Sequence, residues 1–365
     1  KVEMAAQREN FVSGAMEKGV AKAKAGKIFD LVDKFAGYGF NKSHAAAYAL
    51  IAYQTAWFKT NHPVEFYAAS MSLELGNTDK LGVYRQALEG DGIELLPPDI
   101  NHSGATFTVD VGIDGKSAVR YALGAIKNVG AQAMAALAAE RVENGLFDSL
   151  FDFVGRVDPG VINKRQIENL AQAGAFDAVE PNRRRVFDAA ELLMRHANAA
   201  VIEKTSNQVN MFGGDAGPAV TLAPDLPEVD EWPRAEKLRR ERDAIGFHLS
   251  SHPLDDYETQ LERLNVVKIA SLSDLLARET PPIIKLAGVV ESKQERRSAK
   301  GNRFAFVTLS DKTGTVEVTL FAEALSANRE RLESGSPLLV SVNVQFEGDG
   351  MRVTARHVQS LDDAI

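Results

Sequence analysis

The sequence G-Y-G-F-N-K-S-H-A-A-A-Y-A-L-I-A-Y-Q-T-A-W-F-K-T-N-H-P, from Gly37 to Pro63, carries the strongest structural signal in the chain. Nine successive residues from Ala45 to Tyr53 are Ala, Leu, Ile or Tyr, and no proline interrupts them. We therefore predict one helix from Ser43 to Lys59. Because this helix would be apolar on nearly every side, we also predict that it is buried.

The start of this helix is a candidate phosphate site. Asn41 and Ser43 are suited to cap it, and Lys42 and His44 stand beside its free backbone N–H groups. The positive end of the helix dipole favours an anion at the same place, so three effects would add to hold a phosphate. The alternative is a well-capped core helix in which Lys42 and His44 stand near the cap by chance.

The residues of this stretch resemble a known family. Y-G-F-N-K-S-H-A-A-A-Y-A-L-I-A-Y-Q-T-A-W, preceded by K-I-F-D-L-V-D-K-F-A-G, is similar to the end of the fingers domain in the alpha subunits of bacterial DNA polymerase III. The similarity extends over almost the whole chain and includes P-P-D-I-N at Pro97 to Asn101. It implies that the helix faces the incoming nucleoside triphosphate and that Lys42 and His44 contact its phosphates.

Length and composition indicate a globular chain of several domains. Its 365 residues suggest roughly two to four domains, and 45% hydrophobic with 25% charged residues argues against disorder. The chain has no cysteine, which excludes disulfides and thiolate metal sites and fits a reducing cytoplasm. No apolar run reaches the roughly 18 residues of a membrane span, and no secretory signal opens the chain. The opening lysine, within a helical pattern, suggests a piece of a longer polypeptide.

The net charge of −8 argues against a surface broadly adapted to nucleic acid. Any contact with DNA must therefore come from local basic clusters. Each cluster alone is more often a solvated face, so its meaning depends on the motif beside it. The clusters are Lys164 and Arg165; Arg183 to Arg185; Arg239, Arg240 and Arg242; and Arg296, Arg297, Lys300 and Arg303.

Residues 1–97 are predicted to be helical and, by the resemblance, to form the C-terminal part of the fingers domain. Pro97 and Pro98 end the helical pattern. Thr106 to Val111 and Val119 to Ala122 predict a short hairpin after it. Besides the central helix, the predicted helices run from Val2 to Lys18, Ala21 to Phe35, Val64 to Leu75 and Lys80 to Glu89.

Residues 98–200 contain two candidate helix-hairpin-helix units. In Leu123 to Leu137, apolar residues bracket the tight connection K-N-V-G, formed by Lys127, Asn128, Val129 and Gly130. Such a hairpin presents backbone N–H groups to a DNA phosphate without reading sequence. Asn128 replaces the glycine usual in this family, and asparagine tolerates the left-handed conformation. An ordinary helical pair is the alternative.

The second unit, Val161 to Phe176, has apolar residues at helical spacing and Gly174 at its predicted end. It is similar to the partner unit that follows in the same family. By that resemblance, Lys164 and Arg165 contact phosphates of duplex DNA.

Residues 201–232 have the composition of an exposed linker. Within it, Q-V-N-M-F from Gln208 to Phe212 carries a Met-Phe pair that is hard to explain as core. An apolar anchor in a flexible segment usually docks into a pocket on another protein. The pentapeptide is similar to the sliding-clamp binding motif of bacterial polymerases, which implies that Gln208, Met211 and Phe212 bind the clamp. The alternative is that Met211 and Phe212 fold back onto their own domain.

Residues 233–280 are predicted to be a helical connector whose charged helix ends at Gly246. His248 and His252 have the spacing of half a zinc site, but the chain has no cysteine and no second histidine pair nearby. We therefore interpret them as a turn residue and a pre-proline residue, with no metal.

Residues 281–365 predict a five-stranded OB-fold barrel. The pattern alternates along Ile284 to Val290, Arg303 to Leu309, Val316 to Phe321, Leu338 to Phe346 and Met351 to Val358, with a helix from Ala322 to Leu332 after the third strand. The turn from Asp311 to Gly314 joins the second and third strands.

One face of these two strands is a candidate platform for single-stranded DNA. If the small and branched residues fill the barrel, then Phe304, Phe306 and Phe321 share the outer face and can stack on bases. The basic residues Arg296, Arg297, Lys300 and Arg303 would border this face. The alternative is that the phenylalanines form the core and the barrel is a spacer or a protein dock.

Polymerase chemistry needs carboxylates that hold two metal ions about 3.5–4 Å apart. The sequence offers no close pair of aspartates at the end of a strand, so we predict no catalytic residue, no cofactor and no polymerase activity for this chain alone. By the resemblance, the palm and its Mg²⁺ ions, and the regions that bind other replicase subunits, lie outside this chain.

The fold class predicted for the chain is therefore multidomain, mainly α-helical, with a C-terminal β-barrel. The predicted function is to hold DNA and the sliding clamp for a DNA-directed DNA polymerase. A non-catalytic DNA-binding adaptor and the error-prone paralogue of the same polymerase family are the alternatives, and the Q-V-N-M-F segment favours the replicative form.

Overall fold

The computed structural model describes residues 2–38, 42–205, 225–272, 283–298, 301–347 and 350–365. The chain divides into two compact units, Lys1–Phe66 and Tyr67–Ile365. The division falls inside the fourth helix, well before the proline pair that ends the helical pattern in the sequence.

The first unit is helical, as predicted. Two of its helices pack against each other through Phe11 and Phe29, whose ring centroids lie 5.4 Å apart. Arg8 Nη2 also donates to Asp30 Oδ1 at 2.9 Å. The helices are α1 (Val2–Glu17), α2 (Lys22–Tyr38), α3 (Lys42–Asn61) and α4 (Pro63–Ser72), which continues into the second unit.

The prediction that the central helix is buried is wrong. Every residue of α3 is exposed, including Tyr53 at 68% and Trp57 at 44%. The alanine-rich sequence is sufficient to form the helix, because its backbone hydrogen bonds are internal. Burial additionally needs an apolar surface from elsewhere in the fold, and none of the residues in the described ranges covers α3.

After the end of α4, the second unit continues with α5 (Thr78–Gly90) and a small three-stranded sheet. The predicted hairpin is confirmed as the antiparallel pair β2 (Thr108–Val111) and β3 (Ser117–Arg120). A strand that the sequence pattern does not predict, β1 (Leu95–Leu96), pairs in parallel with β3. The sheet order is therefore β1-β3-β2.

A helical core follows this sheet. Phe153 lies at its centre, with ring centroids 5.2 Å from Phe147 and 5.2 Å from Phe176. The first predicted hairpin unit does not consist of two full helices, because its first segment is a 3₁₀ turn at Leu123–Ala125. The helices are α6 (Ala131–Asn144), α7 (Leu150–Arg156), α8 (Lys164–Ala173), α9 (Arg183–Thr205) and α10 (Arg234–Ile245).

The predicted barrel is confirmed as a closed sheet of five strands. Its core contains Leu286, Val307, Val318 and Val340, all buried. The helix predicted after the third strand is broken at Asn328 into two short helices. The strands are β4 (Ile284–Arg297), β5 (Arg303–Asp311), β6 (Gly314–Leu320), β7 (Leu338–Glu347) and β8 (Gly350–Ser360), and their order around the barrel is β4-β5-β6-β8-β7. The helices are α11 (Glu258–Arg263) before the barrel, then α12 (Ala322–Ala327), α13 (Arg329–Glu333) and α14 (Leu361–Ala364).

Within the described ranges, no helix combines the length and the apolar character needed to cross a membrane.

Candidate nucleic-acid interfaces

The first hairpin presents two polar residues to solvent between two buried anchors. Lys127 and Asn128 are exposed, whereas the side chains of Ile126 and Val129 are buried. Asn128 has φ 62°, which confirms the left-handed conformation expected at this position. Val129 can therefore contact DNA only through its backbone.

The hairpin is held close to the start of α6. A Cβ atom on Gly124 would lie 2.4 Å from Ala105 O and 3.1 Å from the Ala131 side chain, so only glycine fits there. Gly130 occupies the N-cap position of α6 and has no side chain to occupy the first N–H groups of the helix. The backbone of this turn thus has the form expected for a phosphate contact.

The second unit begins at α8, where Asn163 and Gln166 form a reciprocal capping box. Asn163 Oδ1 accepts from Gln166 N at 3.1 Å, and Asn163 N donates to Gln166 Oε1 at 2.7 Å, so two of the N–H groups at this helix start are already paired. Lys164 and Arg165 are both exposed beside this cap, and Lys164 Nζ lies 3.3 Å from Glu191 Oε2. The helix ends before Gly174, whose φ of 83° confirms the predicted stop.

The fold brings the two helix-hairpin-helix units together. Asn128 Nδ2 lies 3.5 Å from Asn169 Oδ1, so the first hairpin stands against the exposed side of α8. The backbone N–H of Lys127 donates to Ala244 O at 2.9 Å, which fixes the hairpin to α10 as well. Lys127 and Arg165 therefore belong to one surface.

One basic cluster is different from the prediction. Arg183 is buried rather than solvated, and its guanidinium bonds to Asp177 at 2.8 Å and to Glu241 at 3.0 Å. Arg185 Nη1 lies 3.3 Å from Glu180 Oε2. Within this cluster Arg183 is therefore used inside the protein, where Asp177 lies six positions away in sequence and Glu241 lies 58 positions away.

The phenylalanines lie on the outer face of the barrel, as the first of the two interpretations of the sequence requires. Ala305, Val307 and Leu309 of β5 and Val316, Val318 and Leu320 of β6 are buried in the barrel core. Phe304 and Phe306 are half-buried on the outer face, and Phe321 is 50% exposed beside them. The interpretation of these three phenylalanines as barrel core is wrong, because the alternation of β5 points Phe304 and Phe306 outward, and Phe321, which follows β6, is exposed.

The three aromatic side chains border one groove. The ring centroids of Phe304 and Phe306 lie 5.3 Å apart in an edge-to-face arrangement. A cavity of about 490 Å³ is lined by both rings and by Phe321 and Arg352. The guanidinium of Arg296 lies 5.4 Å from the centroid of the Phe306 ring.

The predicted basic residues lie at one end of this groove. Arg297 pairs with Arg303 at the end of the β4–β5 ladder, and Arg296 pairs with Phe304. All three arginines are exposed. Lys300 lies outside the described residues.

Sequence reasoning missed two arginines on the same face, Arg352 and Arg356 of β8, both exposed. The period-two pattern of β8 contains the signal for them, since Arg352 and Thr354 alternate with the buried residues Val353 and Ala355.

Sequence reasoning also missed that His248 and His252 are buried between the helical core and the barrel. His252 accepts from Leu254 N at Nδ1 (3.1 Å) and lies 3.2 Å from Ser310 Oγ through Nε2. Burial lowers the pKa of each histidine to about 4, with a partial opposing effect of Glu291 on His248 and of Asp255 on His252. Both imidazoles are therefore neutral at pH 7, and His252 joins the loop after α10 to the barrel through Ser310.

The remaining candidate residues can be placed only in part. Lys42 begins α3 and is exposed, and the His44 ring centroid lies 4.3 Å from that of Tyr48. Gln208, Met211 and Phe212 lie outside the described residues. Across the ranges that the structure describes, no group of three or more His, Asp or Glu residues is suited to a metal ion.

Comparisons with known proteins match both modules. A family model described as a helix-hairpin-helix motif matches residues 92–186, and one described as an OB-fold nucleic acid binding domain matches residues 284–361. Among solved structures, the mitochondrial single-stranded DNA binding protein Rim1 from S. cerevisiae is 20% identical with a TM-score of 0.20, covering 22% of this chain and 94% of that chain.

Whole-chain relatives are DNA polymerase III alpha subunits. That of Caulobacter vibrioides (strain NA1000 / CB15N) is 45% identical over 365 residues, which is 100% of this chain and 31% of the relative. Those of Vibrio cholerae serotype O1 and Escherichia coli (strain K12) are each 38% identical, over 99% of this chain and 31% of the relative. The chain thus spans about a third of the length of these relatives, and along its whole length it belongs to the DNA polymerase III subunit alpha family.

Proposed function

We propose that this chain provides the DNA-holding and clamp-holding part of a replicative DNA-directed DNA polymerase. Its helix-hairpin-helix region binds the backbone of duplex DNA, and its barrel binds the single-stranded template. The observation that carries this proposal is the exposed aromatic and basic face of the barrel, in a chain related along its whole length to DNA polymerase III subunit alpha.

Duplex binding is supported by the surface that Lys127 and Arg165 share. The left-handed Asn128 turns the backbone between the exposed Lys127 and the start of α6. Contacts of this kind go to phosphates and fix the position of the protein without reading sequence. They suit an enzyme that must move along any template.

Single-strand binding is supported by the groove at Phe304, Phe306 and Phe321. Aromatic side chains stack on bases of any sequence, and a nearby cationic groove follows the phosphates. The acidic net charge of −8 confines such contacts to the few places where arginines are clustered. The groove satisfies both requirements on one face.

The polymerase reaction itself belongs to the longer relatives in this proposal. In them, Lys42 and His44 would contact the triphosphate, and Mg²⁺ would be held by residues of other regions. Gln208, Met211 and Phe212 would bind the sliding clamp. We expect that the 365-residue chain binds DNA and extends no primer.

The test is fluorescence polarisation of the 365-residue chain with a labelled duplex and a labelled oligothymidylate across a KCl series. We expect both to bind, with affinity that falls steeply with salt. Phe304→Ala and Phe306→Ala should each weaken oligothymidylate binding by about 1–3 kcal/mol, roughly 5- to 150-fold. The matched control is Ile113→Ala, since Ile113 is 97% exposed in the β2–β3 turn. Undiminished binding by both phenylalanine variants would exclude the barrel face as the site.

A further inference from the structure

Two arginines of β8 lie across the barrel face from the aromatic side chains of β5. In the strand register, Phe306 of β5 pairs with Thr319 of β6, and Thr319 pairs with Thr354 of β8. Thr354 stands midway along β8 between Arg352 and Arg356. The face therefore has an aromatic side and a cationic side, with two threonines between them.

Cavities that share lining residues follow the groove from one of these sides to the other. Three neighbouring cavities of about 510, 490 and 330 Å³ are all lined by Arg352. Phe306 lines the first two cavities, and Phe321 lines the last two. Arg356 lines the third, at the end of the groove farthest from Thr315.

We propose that a single DNA strand lies in this groove with its bases over Phe304 and Phe306 and its phosphates along Arg352 and Arg356. This inference rests on the proposed single-strand function of the barrel and assigns the two halves of each nucleotide to different strands of the sheet. Aromatic rings accept the faces of bases, and the planar guanidinium group matches the phosphate oxygens.

The dimensions of the sheet agree with this assignment. Neighbouring strands lie about 4.8 Å apart, so the Phe306 row and β8 are separated by two steps, about 10 Å. That separation is of the order of one nucleotide from base edge to phosphate. Arg352 and Arg356 are four residues apart, about 13 Å along β8, so they can contact two different phosphates of one strand.

A β-bulge gives the cationic side its second residue. The β7–β8 pairing passes from Val342↔Ala355 to Ser341↔His357, which leaves Arg356 as the extra residue of β8. Arg356 and His357 are consequently both exposed, although strict alternation would turn one of them inward.

An acidic residue lies beside this cationic side. Val318 pairs with Val353 in the parallel β6–β8 ladder, so Glu317 and Arg352 precede that pair on neighbouring strands. Glu317 lines the first cavity together with Arg352. Because its carboxylate opposes a phosphate at that end, Glu317→Gln should tighten binding.

The experiment measures how the affinity of the 365-residue chain and its variants for an oligothymidylate depends on salt concentration. The oligothymidylate has about 12 nucleotides, which is within the site sizes of OB folds. The double variant Arg352→Ala/Arg356→Ala should reduce the slope of log K against log salt by about 1.4, which is about 0.7 for each lost phosphate contact. Arg352→Lys should retain the slope of the wild type, since the charge is kept. Phe306→Ala should lower affinity at every salt concentration with the slope unchanged. Arg263→Ala, an exposed arginine of α11, is the matched control.

A second arm uses an oligomer of the same length with abasic sites. Phe306→Ala should bind this oligomer as tightly as the wild type does, whereas the double arginine variant should still lose affinity. If wild-type chain binds oligothymidylate and the double variant keeps the full slope, the assignment of phosphates to β8 is wrong and the barrel function stands. If wild-type chain binds no oligothymidylate at low salt, both proposals fail. Unchanged thermal melting of each variant shows that the fold is intact.

Discussion

Arg183 Nη1 donates to Glu241 Oε2 at 3.0 Å, and only 6% and 2% of the two side chains are exposed. The other oxygen of Glu241 accepts from the backbone N–H groups of Leu249 and Ser250, at 2.9 and 2.8 Å. This carboxylate thus connects α9, α10 and the loop that leads to the barrel. Asp177 also accepts from Arg183, so replacing Glu241 leaves the buried guanidinium with one of its two carboxylates and weakens three charge-assisted hydrogen bonds to Glu241.

Glu241→Gln should therefore lower the free energy of unfolding by about 1.5–3 kcal/mol. Urea denaturation followed by circular dichroism measures the change. The matched control is Asp188→Asn, which breaks the exposed Arg184–Asp188 pair at 3.5 Å and should cost less than about 1 kcal/mol. Equal effects of the two variants would contradict a structural role for the buried pair.

The two buried histidines predict that stability falls in mild acid. Burial lowers the pKa of His248 and His252 to about 4, below the ordinary 6.5. The unfolded chain therefore binds more protons between these values, and the stabilisation is complete above pH 6.5 and is lost as the pH falls towards 4. Each histidine should contribute on the order of 3 kcal/mol over this range.

The measurement is the free energy of unfolding between pH 7 and 5. His248→Gln and His252→Gln should each flatten its pH dependence in this range, whereas the exposed His102→Gln should leave the slope unchanged. A wild-type chain equally stable at both ends of the range would refute the prediction.

The left-handed residue of the first hairpin predicts opposite effects of two small substitutions. Asn128 has φ 62°, a conformation that glycine adopts without strain and alanine adopts at a cost of about 1–2 kcal/mol. Asn128→Gly should equal or exceed the thermal stability of the wild type, and Asn128→Ala should melt at a lower temperature. An alanine variant as stable as the glycine variant would show that the turn adopts another conformation in solution.

The duplex surface predicts a reduced salt dependence. Lys127→Ala and Arg165→Ala should each reduce the slope of log K against log salt for duplex DNA by about 0.9, because each removes one phosphate contact. Lys116→Ala is the control, since Lys116 Nζ lies 2.8 Å from Asp114 in the β2–β3 turn. Polarisation with a labelled duplex gives the slopes. Slopes equal to that of the wild type in both variants would place the duplex elsewhere.

The clamp proposal predicts a large effect of one residue. Phe212→Ala should weaken binding of the 365-residue chain to purified sliding clamp by at least about 2 kcal/mol, roughly 30-fold, as expected for an aromatic anchor. Val209→Ala, at a variable position of the same pentapeptide, should leave the affinity nearly unchanged. Surface plasmon resonance with immobilised clamp measures both. Equal affinities of the two variants would overturn the assignment.

Much of the fold follows from local patterns. The alternation in β5 and β6 predicts the barrel and places Phe304 and Phe306 on one face together, because successive side chains of a strand point to opposite faces, but it leaves open which face is the core. The helix stops at Gly174 and Gly246 are also local, since these glycines take positive φ values of 83° and 107°. The left-handed Asn128 is another property of a short segment.

Other features depend on which distant residues pack together. The sequence of α3 determines that it is a helix, but the absence of a covering surface in the described residues leaves it exposed. Arg183 belongs to a basic cluster in the sequence and to a buried ion pair in the fold, because Glu241 approaches it from 58 positions away. Neither outcome can be derived from a pattern within one segment.

The sequence by itself thus determined most of the helices, the barrel and the family. Only the tertiary structure decided that His248 and His252 are buried against Ser310, that the first hairpin stands beside α8, and that Arg352 lies across a groove from Phe306. The physical reason is the separation in sequence over which each effect acts. Periodicity and turn chemistry act within a few residues, whereas burial and charge pairing depend on surfaces that meet only when the chain has folded.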